Sequence, residues 1–303
     1  MRIVATGPVP PVAEELLGEI AVAGPGELEA LLPEAEVLIA RGGTVVTAET
    51  IAAAPRLRVI GRSGVGFSEV DVEAATRRGI PVVLAATAGA QAVAEGALAL
   101  VLALAKRLPE LDRAVKGGRW AERDRAEVRD LEGASLGILG YGRIGRRLEA
   151  LVAPFAMRVR FCDPYVEGGV DLRTLFAESD VVSMHAPLTA ETRGIVDAEL
   201  LAAARPGLLL VNVARGALVR SLDDLLAALE SGRLGGVGLD VFEPEPPDPA
   251  HPLFAHPRVL CTPHALWRTP RALDGIFREL GEGVLAALRG ERPAAVANPE
   301  LYE

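Results

Sequence analysis

The chain has 303 residues, half of them hydrophobic, few aromatics and a formal net charge of −9. That length suggests about two domains, and the charge excludes a general nucleic-acid binder, because neutralising phosphates needs a basic face. One small anion needs only a local pocket and stays admissible. Cys162 and Cys261 do not form a CxxC pair, so neither a metal site nor a disulfide framework is expected.

The start, MRIVATG, reads as a strand and lacks a charged-then-apolar leader, and the longest apolar run, Gly96 to Ala105, is too short to span a bilayer. A cytoplasmic protein without membrane contact is the expectation. Strands are expected at Arg2–Thr6, Glu36–Ala40, Arg58–Gly61 and Ile80–Leu84, then at Ser135–Leu139, Arg158–Cys162, Asp180–Met184, Leu208–Asn212, Gly236–Asp240 and Arg258–Cys261. Helical patterns such as Leu222–Ser231 lie between most of them, which implies βαβ units and parallel sheets: an α/β fold. Between the two strand sets, Gln91 to Arg107 reads as one long helix, followed by a charged segment, Leu108 to Glu132, expected to be an exposed arm. A second long helix, Pro270 to Arg289, follows the last strand. The chain is therefore expected to cross between domains twice, with residues 1–95 and 268–303 in one domain and 96–267 in the other. The Pro-rich run Glu243–Pro252 is a stiff loop, since strands continue on both sides.

The segment Gly140-Tyr141-Gly142-Arg143-Ile144-Gly145 is a GxGxxG motif directly after a strand and at the head of a helix. The first glycine permits the tight turn, the second lets backbone approach a pyrophosphate, and the third lets helix and strand pack closely. The helix start then offers N–H groups and a positive dipole end to phosphates. Past the next strand stands Asp163, whose carboxylate suits ribose hydroxyls and repels a 2′-phosphate, so NAD is favoured over NADP. A methyltransferase-like nucleotide site explains the glycines but not the residues downstream.

Three later segments each end a strand: VNVARGALV with Arg215, GLDVFEPEP with Asp240 and Glu245, and CTPHALW with His264. Ligands of doubly wound sheets bind at strand carboxyl ends, so these loops are expected to converge. Reducing a 2-oxo acid needs a cation for the carboxylate and ketone, which Arg215 supplies with its planar fork of donors. It needs an acid for the new alkoxide and a base for the reverse step, for which His264 has a suitable side chain. Glu245 is the carboxylate to fix the imidazole tautomer and favour its charged form. Taken singly, each also fits a bland role: a surface arginine, a loop acid, a satisfied histidine. Their joint order favours the chemistry.

At these residues the chain resembles the D-2-hydroxyacid dehydrogenase family, through ILGYGRIGR, SMHAPLTAETRGIV, VNVARGALV, LDVFEPEP, TPH and the earlier GRSGVGFSEVDVEAATRRGI, over almost its whole length. The resemblance implies a flavodoxin-like substrate domain from the two chain ends and a Rossmann NAD domain between them. It implies an Arg215–Glu245–His264 catalytic set and a substrate carboxylate held by loop N–H groups around Ser63, Gly64, Val65 and Gly66. It places Asp240 at the nicotinamide carboxamide, Val213 and Ala214 beside the cofactor, and His185 and Pro187 on the adenosine side, where His185 fits a structural role equally well. The arm with Trp120 matches the family's dimer element, so a homodimer is implied. Glu245 in place of the Gln of formate dehydrogenases disfavours formate, and Val65 in place of the Lys of phosphite-oxidising relatives disfavours phosphite.

The chain departs from the family where small residues often follow the histidine: here stand Ala265, Leu266, Trp267 and Arg268, which reshape the pocket. Arg220-Ser221 replaces the usual Asp-Glu, and Leu84–Glu95 lacks the usual Asn and Pro-Gly. The wording is nearest the phosphoglycerate dehydrogenase branch, in which the arginine matching Arg62 helps bind a distal phosphate. With Arg268 and Arg41 it would form a cationic rim for an anionic tail; a structural loop arginine is the equal alternative. No regulatory domain is expected after the last helix. The expected substrate is a short 2-oxo acid, with or without such a tail. The rival class is a non-catalytic NAD-binding regulator of the corepressor kind.

Overall fold

The structure, a computed structural model, describes residues 1–64, 66–67 and 69–303. It divides into two units, Met1–Gly89 with Arg268–Glu303, and Ala90–Trp267. The sequence reading set the first boundary at residue 95. It falls earlier because the long helix starts at Ala90 and packs on the second unit's sheet.

The first unit opens with β1 (Ile3–Ala5), α1 (Pro11–Leu17), β2 (Ile20–Val22), α2 (Leu28–Leu31), β3 (Val37–Ala40), α3 (Ala48–Ala52), β4 (Val59–Arg62), α4 (Val72–Arg77) and β5 (Val82–Leu84). The second holds α5 (Ala90–Ala105), α6 (Leu108–Lys116), β6 (Ser135–Leu139), α7 (Arg143–Val152), β7 (Arg158–Cys162), α8 (Leu172–Glu178), β8 (Val181–Met184), α9 (Ala198–Ala203), β9 (Leu208–Asn212), α10 (Leu222–Glu230), β10 (Leu234–Leu239) and β11 (Val259–Cys261); α11 (Pro270–Leu288) returns to the first. No helix among the described residues is long and apolar enough to cross a membrane.

The first unit's sheet is parallel, in the order β2-β1-β3-β4-β5, which is the flavodoxin-like order. β3 and β4 are buried on both faces, as a parallel sheet covered by helices requires. α11 packs on β4, β5 and α1, and the chain beyond it docks on β5: Leu84 N–H donates to Ala295 O and Ala297 N–H to Val82 O. Asn298, fully buried, completes the seam. Its Oδ1 accepts from Val82 N–H at 2.9 Å, and its Nδ2 donates to Ile80 O at 2.9 Å and Thr76 Oγ1 at 3.0 Å. β2 was absent from the sequence reading, being three residues at the sheet edge.

The second sheet is also parallel, in the order β11-β10-β9-β8-β6-β7. The strand order reverses between β6 and β8, the switch point at which doubly wound sheets bind ligands. Where a Rossmann sheet carries a third strand beyond β7, the described residues have no strand in this sheet and one backbone hydrogen bond, Val170 N–H to Phe161 O at 2.8 Å. One core of aliphatic side chains lies on the α8–α10 face and another under α5 and α7. The segment expected as an exposed arm is exposed for the most part but not structureless, since it contains α6 and a 3₁₀ turn over Trp120–Arg125.

Replacing Asn298 by Ala strands a buried N–H at Val82 and a buried carbonyl at Ile80, each costing about 1–3 kcal/mol. Urea unfolding of Asn298→Ala should show a loss of roughly that size; an unchanged midpoint would show that the tail docks without this amide.

Candidate active site and dinucleotide turn

The glycine turn, Asp163 and the Arg215, Glu245 and His264 loops all belong to the second unit. The glycine motif sits where β6 ends and α7 begins. Gly140 has φ +91°, in the region that favours glycine, and a Cβ there would lie 2.5 Å from Ala186 N. Its turn thus fits against the backbone that leaves β8. A Cβ on Gly145 would meet Gly140 O at 2.7 Å and Ile138 Cγ2 at 2.9 Å, so the third glycine permits the strand–helix contact. At Gly142 a Cβ would meet nothing within 4 Å. That open face lies at the start of α7, whose first intrahelical bond is Arg146 N–H to Gly142 O, so the N–H groups of Arg143, Ile144 and Gly145 point out of the helix end. Bare backbone, outward N–H groups and the dipole end together fit a dinucleotide's phosphates.

Asp163, at the end of β7, accepts Tyr141 N–H at 2.8 Å on Oδ2 and Tyr165 N–H at 2.9 Å on Oδ1. The acid expected to meet ribose is therefore also fastened to the glycine turn, and each oxygen keeps a further acceptor position. His185 follows β8. Its Nε2 shares a hydrogen bond with Ser183 Oγ at 2.9 Å, its Nδ1 is buried without a partner among the described residues, and burial pushes its pKa down to about 3. It stays neutral at any physiological pH. Pro187 is exposed, and its carbonyl accepts Thr192 Oγ1–H at 2.7 Å.

The catalytic candidates meet beyond β9, β10 and β11. His264 Nδ1–H donates to Glu245 Oε2 at 2.9 Å, and Glu245 Oε1 accepts Phe242 N–H at 3.0 Å. The two side chains are 41% and 39% exposed, so solvent and small ligands reach the pair. Burial raises the Glu245 pKa, but the hydrogen bonds from His264 and Phe242 and the charges of His264 and Arg215 outweigh it, leaving the carboxyl below its ordinary range. Arg215 joins the group through that charge interaction, and its Nη1 donates to Ala214 O at 2.6 Å. Val213 and Ala214, both buried, lead into it. Gly216 comes next, where a Cβ would fall 2.0 Å from Phe242 C, so the Arg215 turn and the Glu245 loop touch backbone to backbone.

Two buried polar residues, neither read this way from sequence, hold these loops. Asn212, at the end of β9, accepts Ala214 N–H at 3.0 Å and donates to Arg215 O at 2.9 Å. Asp240, 2% exposed, accepts Thr262 Oγ1–H at 2.6 Å, Ala265 N–H at 3.0 Å and Leu266 N–H at 3.4 Å. The turn between those donors carries His264 at φ +50°, a conformation costing a non-glycine residue about 1–2 kcal/mol. Trp267 Nε1–H donates to His264 O at 3.1 Å, adding a side-chain brace from a residue expected to reshape the pocket and contact substrate. The signal for Asn212 was its type, a short amide ending an apolar strand before a loop.

In the first unit, Arg62 ends β4, 7% exposed; its Nη2 pairs with Glu69 Oε2 at 3.3 Å and its Nη1 donates to Ala40 O at 3.5 Å, while Nε is buried without a partner among the described residues. Ser63 donates to Ala40 O through both N–H and Oγ, Gly64 has open space at its Cα, and Gly66 follows in coil. Val65 lies outside the described residues. Arg41 stacks over Phe277 at 4.9 Å, and burial, then the charges of Arg268 and Arg62, lower its pKa. Arg41, Arg62 and Arg268 thus form one cationic cluster.

Thr262→Val removes an O–H donor to a buried carboxylate with little change of shape. Hydrogen bonds to charged groups contribute about 1.5–3 kcal/mol, so the variant should lose stability of that order in urea. A loss under about 0.5 kcal/mol, within the scatter of neutral surface changes, would show that Asp240 does not depend on Thr262.

Residues 98–265 match the family model described as D-isomer specific 2-hydroxyacid dehydrogenase, NAD binding domain. A D-3-phosphoglycerate dehydrogenase of Mycobacterium leprae is 41% identical over 274 residues, covering 88% of this chain and 51% of that protein. The chain spans about half the length of the first such curated relatives it matches. A hydroxypyruvate reductase of Thermotoga maritima is 37% identical, covering 84% of this chain and 88% of that one. Among solved structures, the D-lactate dehydrogenase of Aquifex aeolicus complexed with NAD and lactic acid aligns at TM-score 0.83 and 28% identity, covering 96% of each chain. With its glycine turn, its acid and its Arg–Glu–His loops on one parallel sheet, the chain belongs to the D-isomer specific 2-hydroxyacid dehydrogenase family and contains that family's NAD-binding domain.

Proposed function

We propose that the protein transfers a hydride between NAD(H) and C2 of a short 2-oxo/2-hydroxy acid. The observation that carries this reading is the 2.9 Å pair of His264 Nδ1 and Glu245 Oε2, under the charge of Arg215, in the same unit as the dinucleotide turn. NAD(H), when bound, supplies or accepts the hydride at C2. The protein's own residues do the rest. Arg215 holds the substrate carboxylate and polarises the carbonyl with its fork of donors. With Nδ1–H committed to Glu245, His264 has Nε2 left for the reacting oxygen, giving a proton in reduction and taking one in oxidation. Glu245, charged across the physiological range, stabilises the imidazolium and fixes the ring. Asp240 Oδ2, which among the described residues accepts one long hydrogen bond, from Leu266 N–H at 3.4 Å, keeps acceptor capacity for a carboxamide. Ser63, Gly64, Val65 and Gly66 are assigned to the substrate carboxylate by the family resemblance.

The Arg41–Arg62–Arg268 cluster supports a substrate with a phosphate, phosphonate or second carboxylate, because the Arg268 and Arg62 guanidiniums lie close enough to lower the Arg41 pKa by their charge, and such a grouping attracts an anion. The relatives named for D-3-phosphoglycerate point the same way, whereas the one named for hydroxypyruvate points to a tail without a second anion. The reading also includes a cytoplasmic homodimer with the segment around Trp120 between copies; Trp120 is 63% exposed.

His264→Ala should lower ketone reduction by about 10²–10⁴-fold while NADH binding, followed by fluorescence titration, stays intact; wild-type activity in this variant would refute the acid–base assignment. In a panel of glyoxylate, hydroxypyruvate, 3-phosphohydroxypyruvate and phosphonopyruvate with NADH, the anionic-tailed members should turn over with the best kcat/KM, and Arg62→Ala should raise their KM selectively. Absence of turnover on every anionic-tailed member would remove the tail assignment.

A further inference from the structure

The second residue of a GxGxxG motif has no assigned duty in the chemistry of that turn, yet here the half-buried Tyr141 has partners at its ring, its hydroxyl and its N–H. Its ring stacks on Phe161 of β7, with centroids 4.1 Å apart and planes 11° from parallel. The Arg146 guanidinium of α7 covers the ring, 4.4 Å from its centroid. Its hydroxyl donates to Glu149, one helical turn further along α7. Its N–H donates to Asp163. Glu149's hydrogen bond, then burial and Glu149's charge, outweigh Arg146 and raise the phenol pKa, so the hydroxyl remains a donor.

β7 is the edge strand of its sheet, held through backbone on one side by β6 and on the other by the single Val170 bond. An edge strand is the most easily displaced element of a sheet, and Asp163 stands directly after it. The Tyr141 ring ties the strand to α7 two residues before that acid, through an offset stack worth about 0.5–1.5 kcal/mol and a cation–π contact. It also occupies Arg146, the cation on the exposed face of α7 nearest the ring. A guanidinium free of that stack would be available to a 2′-phosphate, the group that arginines accommodate in NADP-binding folds.

We propose that Tyr141 is a positioning residue for cofactor selectivity: by stacking between Phe161 and Arg146 it holds the Asp163 carboxylate in place and keeps Arg146 engaged, and both effects favour NAD over NADP. The proposal rests on the reading of Asp163 as the ribose acid. It concerns binding, so its measure is the ratio of NADPH to NADH dissociation constants, read by fluorescence titration of the full chain. That ratio compares two ligands on the same folded molecules, which a merely structural role would not move.

Tyr141→Ala should lower the ratio about tenfold, Tyr141→Leu, which keeps apolar bulk without the stack, should lower it comparably, and Tyr141→Phe, which keeps the stack, should retain most of it. In Tyr141→Ala with Arg146→Ala, part of the lost preference should return. An unchanged ratio in both Tyr141→Ala and Tyr141→Leu, beside a lowered ratio in Asp163→Ala, overturns the proposal alone. An unchanged ratio in Asp163→Ala as well overturns the reading of that acid, and the proposal with it.

Discussion

The buried carboxylate of Asp240 is the constraint on which the chemistry of the second unit depends. A carboxylate removed from water is tolerated when hydrogen bonds replace its hydration, and here the donors come from one short stretch, Thr262, Ala265 and Leu266. Satisfying the charge therefore dictates the path of the backbone between them. That path puts His264 in a left-handed conformation, and it is in this conformation that its imidazole meets Glu245. The hydrogen bonds to the carboxylate offset both the backbone strain and the cost of burying the charge: the turn is held because the carboxylate needs its donors.

The same device recurs along the strand ends. Asn212 organises the turn after β9 with one acceptor and one donor, and Asp163 gathers two N–H groups after β7. A loop leaving a parallel strand loses its ladder partners, and its N–H groups need acceptors nearby. Short polar side chains at the last strand positions supply them. The loops that carry Arg215, His264 and the glycine turn are thus fixed by side chains belonging to the rigid sheet, which lets loop residues be both positioned and accessible. Backbone contact between Gly216 and Phe242 completes the arrangement by locking the arginine turn to the glutamate loop.

Much of this was legible in the sequence because it was local. β6, β7 and β9 lie where their apolar, β-branched runs indicated, bounded by polar or small residues, and the glycine motif is readable because strand, turn and helix are contiguous. What was illegible depends on distance. Gly140 needs its missing side chain not only for the turn but for Ala186, which arrives from another strand. Asp240 was assigned to the cofactor from its place in a motif, while its donors lie 22 to 26 residues further on and nothing in the motif names them. Arg62 illustrates the opposite case: a buried arginine with one carboxylate partner and an unpartnered Nε fits a structural and a ligand role alike, so burial alone does not separate them.

Chemistry and recognition are also distributed unequally along the chain. The Arg–Glu–His set, its braces and the dinucleotide turn all lie within Ala90–Trp267, whereas the arginine cluster belongs to Met1–Gly89 and the segment from Arg268. Acid–base catalysis tolerates little displacement of its groups, and keeping them on one sheet means that their mutual geometry is set by a single core. Recognition of an anionic tail is more forgiving, because guanidinium charge acts over several ångströms. On the proposed function, a fold partitioned in this way could change the tail it accepts through substitutions in one unit without disturbing the 2.9 Å pair in the other.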